Sequence, residues 1–89
     1  MIVVSDTSPL SGLLIIKQLD ILEMLYEAIV IPPKVHEELL QLQELGEDIS
    51  VYEQAAWIKV KTPNDLKLVQ SLVEMLDEGE AEAIALAKE

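Results

Sequence analysis

Residues 28–46, AIVIPPKVHEELLQLQELG, encode a strand, a turn and a helix in immediate succession. The first four residues are apolar and mostly β-branched, so they predict a strand, and Pro32 ends it because proline has no N–H for the sheet. Pro33 suits the first turn of a helix, and Gly46 marks its end. The apolar stripe of this helix has helical spacing and consists of Val35, Leu39, Leu42 and Leu45.

The same alternation of strand and helix continues on both sides of this segment. Two further apolar β-rich runs predict strands over residues 2–4 and 57–60. A helix is predicted over residues 9–19, with Ser8 as its N-cap, and a short helix follows Asp20. Further helices are predicted over residues 48–56 and after Asn64 and Asp65. Gly79 breaks the pattern, and an Ala-rich helix then spans residues 80–88. Strands separated by helices predict an α/β fold with a short parallel sheet of about three strands flanked by helices.

Composition restricts the class of protein. Eighty-nine residues form at most one domain, and a chain of this size buries only roughly 60–65% of its unfolded surface. Half of the residues are apolar and there is no cysteine, which excludes disulfides and thiolate metal sites. No basic leader or long apolar run is present, so we expect a cytoplasmic protein that does not enter a membrane.

The charge of the chain is strongly negative. Seventeen acidic residues against six lysines give a net charge of −11, which opposes nonspecific attraction to a phosphate backbone. One interpretation is that an acidic surface keeps a small domain in solution. The other is that several carboxylates converge on a cation, whose charge locally reverses the field.

Three carboxylates are candidates for such a site. Asp6 follows the first strand, at the sheet end where ligands of parallel sheets collect. Glu38 lies nearer than Glu37 to the apolar stripe of its helix. Glu80 shares an expected inward face with small and apolar residues, Ala83, Ile84 and Ala87.

Each of these acids also has a purely structural interpretation. Asp6 can cap a helix, and acids in a first helical turn are stabilised by the helix dipole. We expect Glu78 and Glu82 to be solvated. We also expect His36 to be a surface residue and Trp57 to pack at the edge of the core.

Carboxylates that meet at one sheet end suit Mg²⁺ or Mn²⁺, because these ions prefer oxygen ligands and bind substrate phosphates through their remaining coordination positions. Such ions activate water and stabilise the in-line displacement of a phosphodiester. This chemistry requires neither lysine nor histidine, which fits a chain with one histidine.

Three motifs, VVSDTSPL at 3–10, IVIPPKVHEEL at 29–39 and LDEGEAEAIALA at 76–87, resemble the first three acidic motifs of PIN domains. The chain is particularly similar to PIN-like nucleic-acid-binding proteins of prokaryotes, which are related to the toxins of toxin–antitoxin pairs. The resemblance implies hydrolysis of single-stranded RNA with Mg²⁺ or Mn²⁺. It implies Asp6, Glu38 and Glu80 as catalytic, metal-binding carboxylates, Ser8 as a hydroxyl that orders the site, and an antitoxin protein as a possible partner.

The chain departs from the family pattern at its C-terminal end. The family fold continues with two more strands and usually a fourth acid, whereas this sequence ends at Glu89. We therefore expect a single incomplete PIN-like domain over residues 1–89, whose strand 2–4 leaves an exposed apolar edge that favours homo-oligomers. The alternative to a ribonuclease is a catalytically inactive binding or assembly module.

Overall fold

The structure of the chain, a computed structural model, describes residues 2–3 and 8–89, and its side chains from Leu10 onward. Its elements in chain order are β1 (Ile2–Val3), α1 (Ser8–Ile15), α2 (Asp20–Tyr26), β2 (Ile29–Ile31), α3 (Pro33–Glu44), α4 (Ser50–Glu53), β3 (Ile58–Val60), α5 (Leu66–Leu72) and α6 (Glu78–Lys88). The alternation of strands and helices predicted from the sequence is confirmed.

The three strands form one parallel sheet in the order β1-β2-β3. Ile2 pairs with Ile29, and Ile29 pairs with Ile58 on the other side. All three residues of β2 are buried, as expected for a strand with neighbours on both sides. Within the described part of the chain, β1 and β3 are therefore the edges of the sheet. This is the short parallel sheet that the sequence predicted.

The main core lies where α1, α3 and α4 cover the sheet. Its buried members are aliphatic residues and one tyrosine: Leu10, Leu14, Leu19, Ile29, Ile31, Val35, Leu39, Ile49 and Tyr52. Trp57 packs partly buried against this cluster, as predicted. The stripe of α3 buries Val35 and Leu39, whereas Leu45 is 78% exposed because the helix has already ended at Glu44.

The first predicted helix ends earlier than expected. α1 stops at Ile15, and Lys17 adopts a positive φ of 63°, a left-handed conformation that a continuous helix to residue 19 does not allow. Asp20 then begins α2 as its first residue. Among the described residues, no helix has the length and apolar character needed to cross a membrane.

The final helix begins earlier than expected. α6 starts at Glu78, so Gly79 lies inside its first turn and does not interrupt the pattern. Asp77 is the N-cap, and its Oδ1 accepts a hydrogen bond of 2.8 Å from the backbone N–H of Glu80. α6 packs against α3 and α5, and its backbone lies beside β1. These contacts place the last helix against the first strand of the sheet.

Candidate functional site

The N-terminal turns of α3 and α6 meet at Gly79. This glycine is buried, and a Cβ placed on it would lie 3.4 Å from Oε1 of Glu38 and 3.7 Å from Cγ of Lys34. The Glu38 carboxylate therefore lies close to the backbone of α6, at a distance where a Cβ on residue 79 would just make contact with it. The approach occurs one residue before Glu80, so two of the predicted carboxylates are carried by adjoining helical turns.

Glu38 is the partly buried member of its acidic pair. Its neighbour Glu37 is exposed, and its carboxylate lies 3.9 Å from Nζ of Lys34 in a surface ion pair. Helical spacing predicted this difference, because Glu38 follows Val35 by one turn and precedes Leu39 directly. Partial burial restricts the side chain and makes it the better ligand candidate of the two.

Glu80 is also partly buried, and Ala83 on its predicted face is buried as expected, but the inward direction assigned to Ile84 and Ala87 is wrong. Ile84 is 43% exposed and Ala87 is exposed, so the face that carries Glu80, Ile84 and Ala87 is the open side of α6. The buried residues of this helix are instead Gly79, Ala81, Ala83, Ala85 and Leu86. They point in two directions because α6 is packed between α3 and α5, which removes the single inward face.

The carboxylate of Asp77 fixes the turn that carries Glu80. The pKa of Asp77 is lowered, chiefly by the hydrogen bond from the backbone N–H of Glu80 and next by a hydrogen bond with the Glu80 side chain. Burial acts in the opposite direction and raises this pKa. The backbone N–H of Gly79 and the charge of Lys34 make smaller contributions that lower it. The sequence contained a signal for this cap, since Asp77 and Glu80 have the spacing of a capping box.

Glu82 does not have the solvated role that was expected. Its Oε1 accepts a 3.1 Å hydrogen bond from the backbone N–H of Lys34, in the first turn of α3. That N–H has no partner inside its own helix, and an acid is also favoured at the positive end of a helix. The two residues are 48 positions apart, so no local pattern indicates the contact.

The remaining predicted site residues are only partly described. Asp6 lies outside the described residues, and Ser8 is the first residue of α1, with a side chain that also lies outside them. Over residues 2–3 and 8–89, no group of three His, Cys, Asp or Glu side chains is arranged to hold a metal. The predicted triad includes Asp6, so this statement does not extend to it. Glu38 and Glu80 supply partly buried carboxylate oxygens, a donor set that fits Mg²⁺ or Mn²⁺.

A second polar cluster lies on another side of α3. Nδ1 of His36 is 2.5 Å from the hydroxyl of Tyr52, and the two rings are 5.7 Å apart at 46°. Burial raises the pKa of Tyr52 to about 12. His36 is thus a partly buried residue in a specific contact, and the surface assignment is wrong. Both side chains line a cavity of about 300 Å³ together with Leu40, Glu53, Ala55, Ile58 and Val60.

Comparison with known proteins gives one result. A family model described as a PIN domain matches residues 2–89. No curated protein and no solved structure matches the chain.

Proposed function

The chain belongs to the PIN-domain family, a family of nuclease-type domains, and from this membership we propose that it is a divalent-metal-dependent ribonuclease acting on single-stranded RNA. The observation that supports the proposal most directly is the approach of α3 to α6 at Gly79. At this approach the Glu38 carboxylate lies 3.4 Å from the position that a Cβ on Gly79 would occupy, and Gly79 directly precedes Glu80. Two acids from distant parts of the sequence thus lie on neighbouring turns.

We assign three carboxylates to the metal and to catalysis: Asp6, Glu38 and Glu80. When bound, Mg²⁺ or Mn²⁺ supplies activation of water and neutralisation of the phosphodiester charge. Glu38 contributes a side chain held by partial burial, and Asp77 fixes the backbone of Glu80 through its 2.8 Å hydrogen bond. We assign the hydroxyl of Ser8 to ordering the site near Asp6.

The test is cleavage of a labelled single-stranded RNA with Mn²⁺ or Mg²⁺ by the chain and by Asp6→Asn, Glu38→Gln and Glu80→Gln. Loss of a metal ligand is expected to lower the cleavage rate by about 100-fold or more. Even mutation of residues that only hydrogen-bond to metal ligands lowers activity by up to about 100-fold. Matched controls are Glu37→Gln and Glu78→Gln, which alter exposed neighbours on the same helices. Equal cleavage by all variants, or cleavage without metal, would contradict the assignment.

A non-enzymatic module is the second candidate, and the net charge of −11 is the observation that favours it. An acidic surface repels RNA unless bound cations compensate. Mn²⁺ binding separates the two functions independently of activity. If the triad is formed, Asp6→Asn is expected to bind Mn²⁺ more weakly than the parent. If the chain is an inactive module with an unformed triad, the parent and Asp6→Asn should both bind Mn²⁺ weakly and with equal affinity.

The partners of the ribonuclease follow from the same assignment. We propose RNA as the substrate, the cytoplasm as the location, and an antitoxin protein as a partner. We also propose that two copies associate through β1, because β1 pairs with β2 on one side and is an edge of the described sheet. A solution mass equal to the monomer at high concentration would contradict this association.

A further inference from the structure

The edge of the sheet at β3 presents backbone groups that are available for pairing. The C=O of Trp57 and the N–H of Lys61 form hydrogen bonds of 2.9 Å with β2. Because bonding direction alternates along a strand, Ile58 and Val60 direct their backbone groups away from β2. The N–H of Ile58 bonds to the C=O of Ala55 at 3.0 Å. The N–H and C=O of Val60 have no hydrogen-bond partner within the described residues.

A cavity with both polar and apolar lining lies directly beside this edge. The side chains of Ile58 and Val60 share one face of β3 and form one wall of the 300 Å³ cavity. Leu40 of α3 and Ala55 add to this apolar wall. The polar part of the lining consists of Glu53 and the hydrogen-bonded pair of His36 and Tyr52. Val60 is 46% exposed and Leu40 is 39% exposed. The cavity is therefore an open site where the core-facing side chain of one more strand would fit.

The other face of β3 is positively charged. Lys59 and Lys61 alternate with Ile58 and Val60, so they point to the opposite face, and both are exposed. Within the described part of the chain neither lysine forms an ion pair, although acidic residues outnumber basic ones by 17 to six. This positive charge on an acidic protein is available to a negatively charged partner.

We propose that the β3 edge is a docking site for an extended segment of a partner protein in which apolar and acidic residues alternate. Its backbone pairs with Val60, its apolar side chains enter the cavity, and its acidic side chains meet Lys59 and Lys61. This is recognition by addition of a strand, with pockets for alternate side chains. An RNA strand would account for the lysines but would leave the apolar wall of the cavity and the unpaired N–H and C=O of Val60 unexplained. The proposal does not depend on nuclease activity.

The test measures binding of a fluorescein-labelled peptide to the chain by fluorescence anisotropy. The peptide is designed with about seven residues, in which glutamate alternates with valine or leucine, so that its acidic and apolar side chains lie on opposite faces of a strand. We expect saturable binding, with amide shifts in NMR spectra concentrated at residues 58–61 and around the cavity. Lys59→Glu with Lys61→Glu is expected to weaken binding by about tenfold, since two exposed ion pairs are lost and repulsion replaces them. The control pair Lys17→Glu with Lys88→Glu makes the same change in net charge elsewhere and is expected to bind about as well as the parent.

A second variant tests the cavity without changing charge. Ala55→Leu places a larger side chain in the cavity and is expected to weaken the peptide severalfold, while a peptide with lysine in place of glutamate fails to bind the parent. Absence of peptide binding by the folded chain, or equal losses in both lysine pairs, would overturn the proposal. It would also be overturned if the Lys59→Glu and Lys61→Glu pair lost affinity only for single-stranded RNA, or only for a second copy of this chain.

Discussion

The backbone N–H of Lys34 donates a 3.1 Å hydrogen bond to Oε1 of Glu82, so α6 caps the N-terminus of α3. The contact satisfies a backbone donor that its own helix leaves unpaired. It also fixes the relative position of the two helices that carry Glu38 and Glu80. A residue outside the predicted triad thus contributes to the geometry of the candidate site.

Replacing Glu82 by alanine is expected to lower the free energy of unfolding by about 1 kcal/mol, the usual cost of losing a helix cap. Urea denaturation followed by circular dichroism measures the change. The control is Glu78→Ala, which loses an exposed ion pair of 3.5 Å to Lys34 and should cost less than about 0.5 kcal/mol. Equal losses in the two variants would show that the cap does not stabilise the fold.

Substitutions at Gly79 should separate stability from metal binding. Gly79→Ala is expected to raise the free energy of unfolding by about 0.5–1 kcal/mol, because alanine favours helix and its Cβ reaches only contact distance from Glu38. The larger Gly79→Val should displace the Glu38 carboxylate and weaken Mn²⁺ binding by about tenfold. Calorimetric titration with Mn²⁺ measures this affinity.

Gly12 provides the matched control for Gly79. It lies within α1, and a Cβ there would have no atom within 4 Å. Gly12→Val should therefore leave Mn²⁺ affinity unchanged. If valine at both positions altered the affinity equally, the approach of Glu38 to α6 would not be the cause.

Tyr52 should make the fold sensitive to alkaline pH. Burial raises its pKa from 10.0 to about 12, so the folded state favours the neutral hydroxyl. This contribution to stability is complete below pH 10 and is lost as the pH rises through about 12. The measurement is the difference in unfolding free energy between the parent and Tyr52→Phe from pH 8 to pH 12. A difference that does not change with pH would contradict the burial of the hydroxyl.

Asp77 should act at the acidic end of the pH scale. Its pKa lies below the ordinary value of 3.8, chiefly because the N–H of Glu80 donates to its carboxylate. The resulting stability is present above pH 3.8 and is lost as the pH falls through the lowered value. Asp77→Asn retains an acceptor for the cap but does not titrate, so its melting temperature should depend less on pH than that of the parent between pH 2 and pH 5. Identical pH profiles would exclude this role.

Local sequence patterns were sufficient for the order of strands and helices and for the greater burial of Glu38 relative to Glu37. Both depend on spacing within one element, where neighbouring side chains define a face. The orientation of α6 was not predictable in this way, because its small residues pack on two sides and give no single apolar stripe. Gly79 was interpreted as a helix break, whereas it lies inside the first turn of α6, next to the Glu38 carboxylate of α3.

The contacts between distant residues were also not predictable. Lys34 and Glu82 are 48 residues apart, and His36 and Tyr52 are 16 apart, so neither pair has a local signature. The Asp77 cap is different, because its spacing to Glu80 is a known helix-start pattern and was available in the sequence. The position of Asp6 relative to Glu38 and Glu80 stays a prediction.

The position of α6 has a consequence for synthesis of the protein. This helix packs against α3 and lies beside β1, so contacts of residues 78–88 complete the layer around the first strand. A nascent chain on the ribosome can form β2 and α3 early, but it lacks these contacts until α6 has left the exit tunnel. Packing of α6 against α3 and α5 is therefore completed only after residue 88 emerges, and until then the surfaces that α6 covers stay exposed.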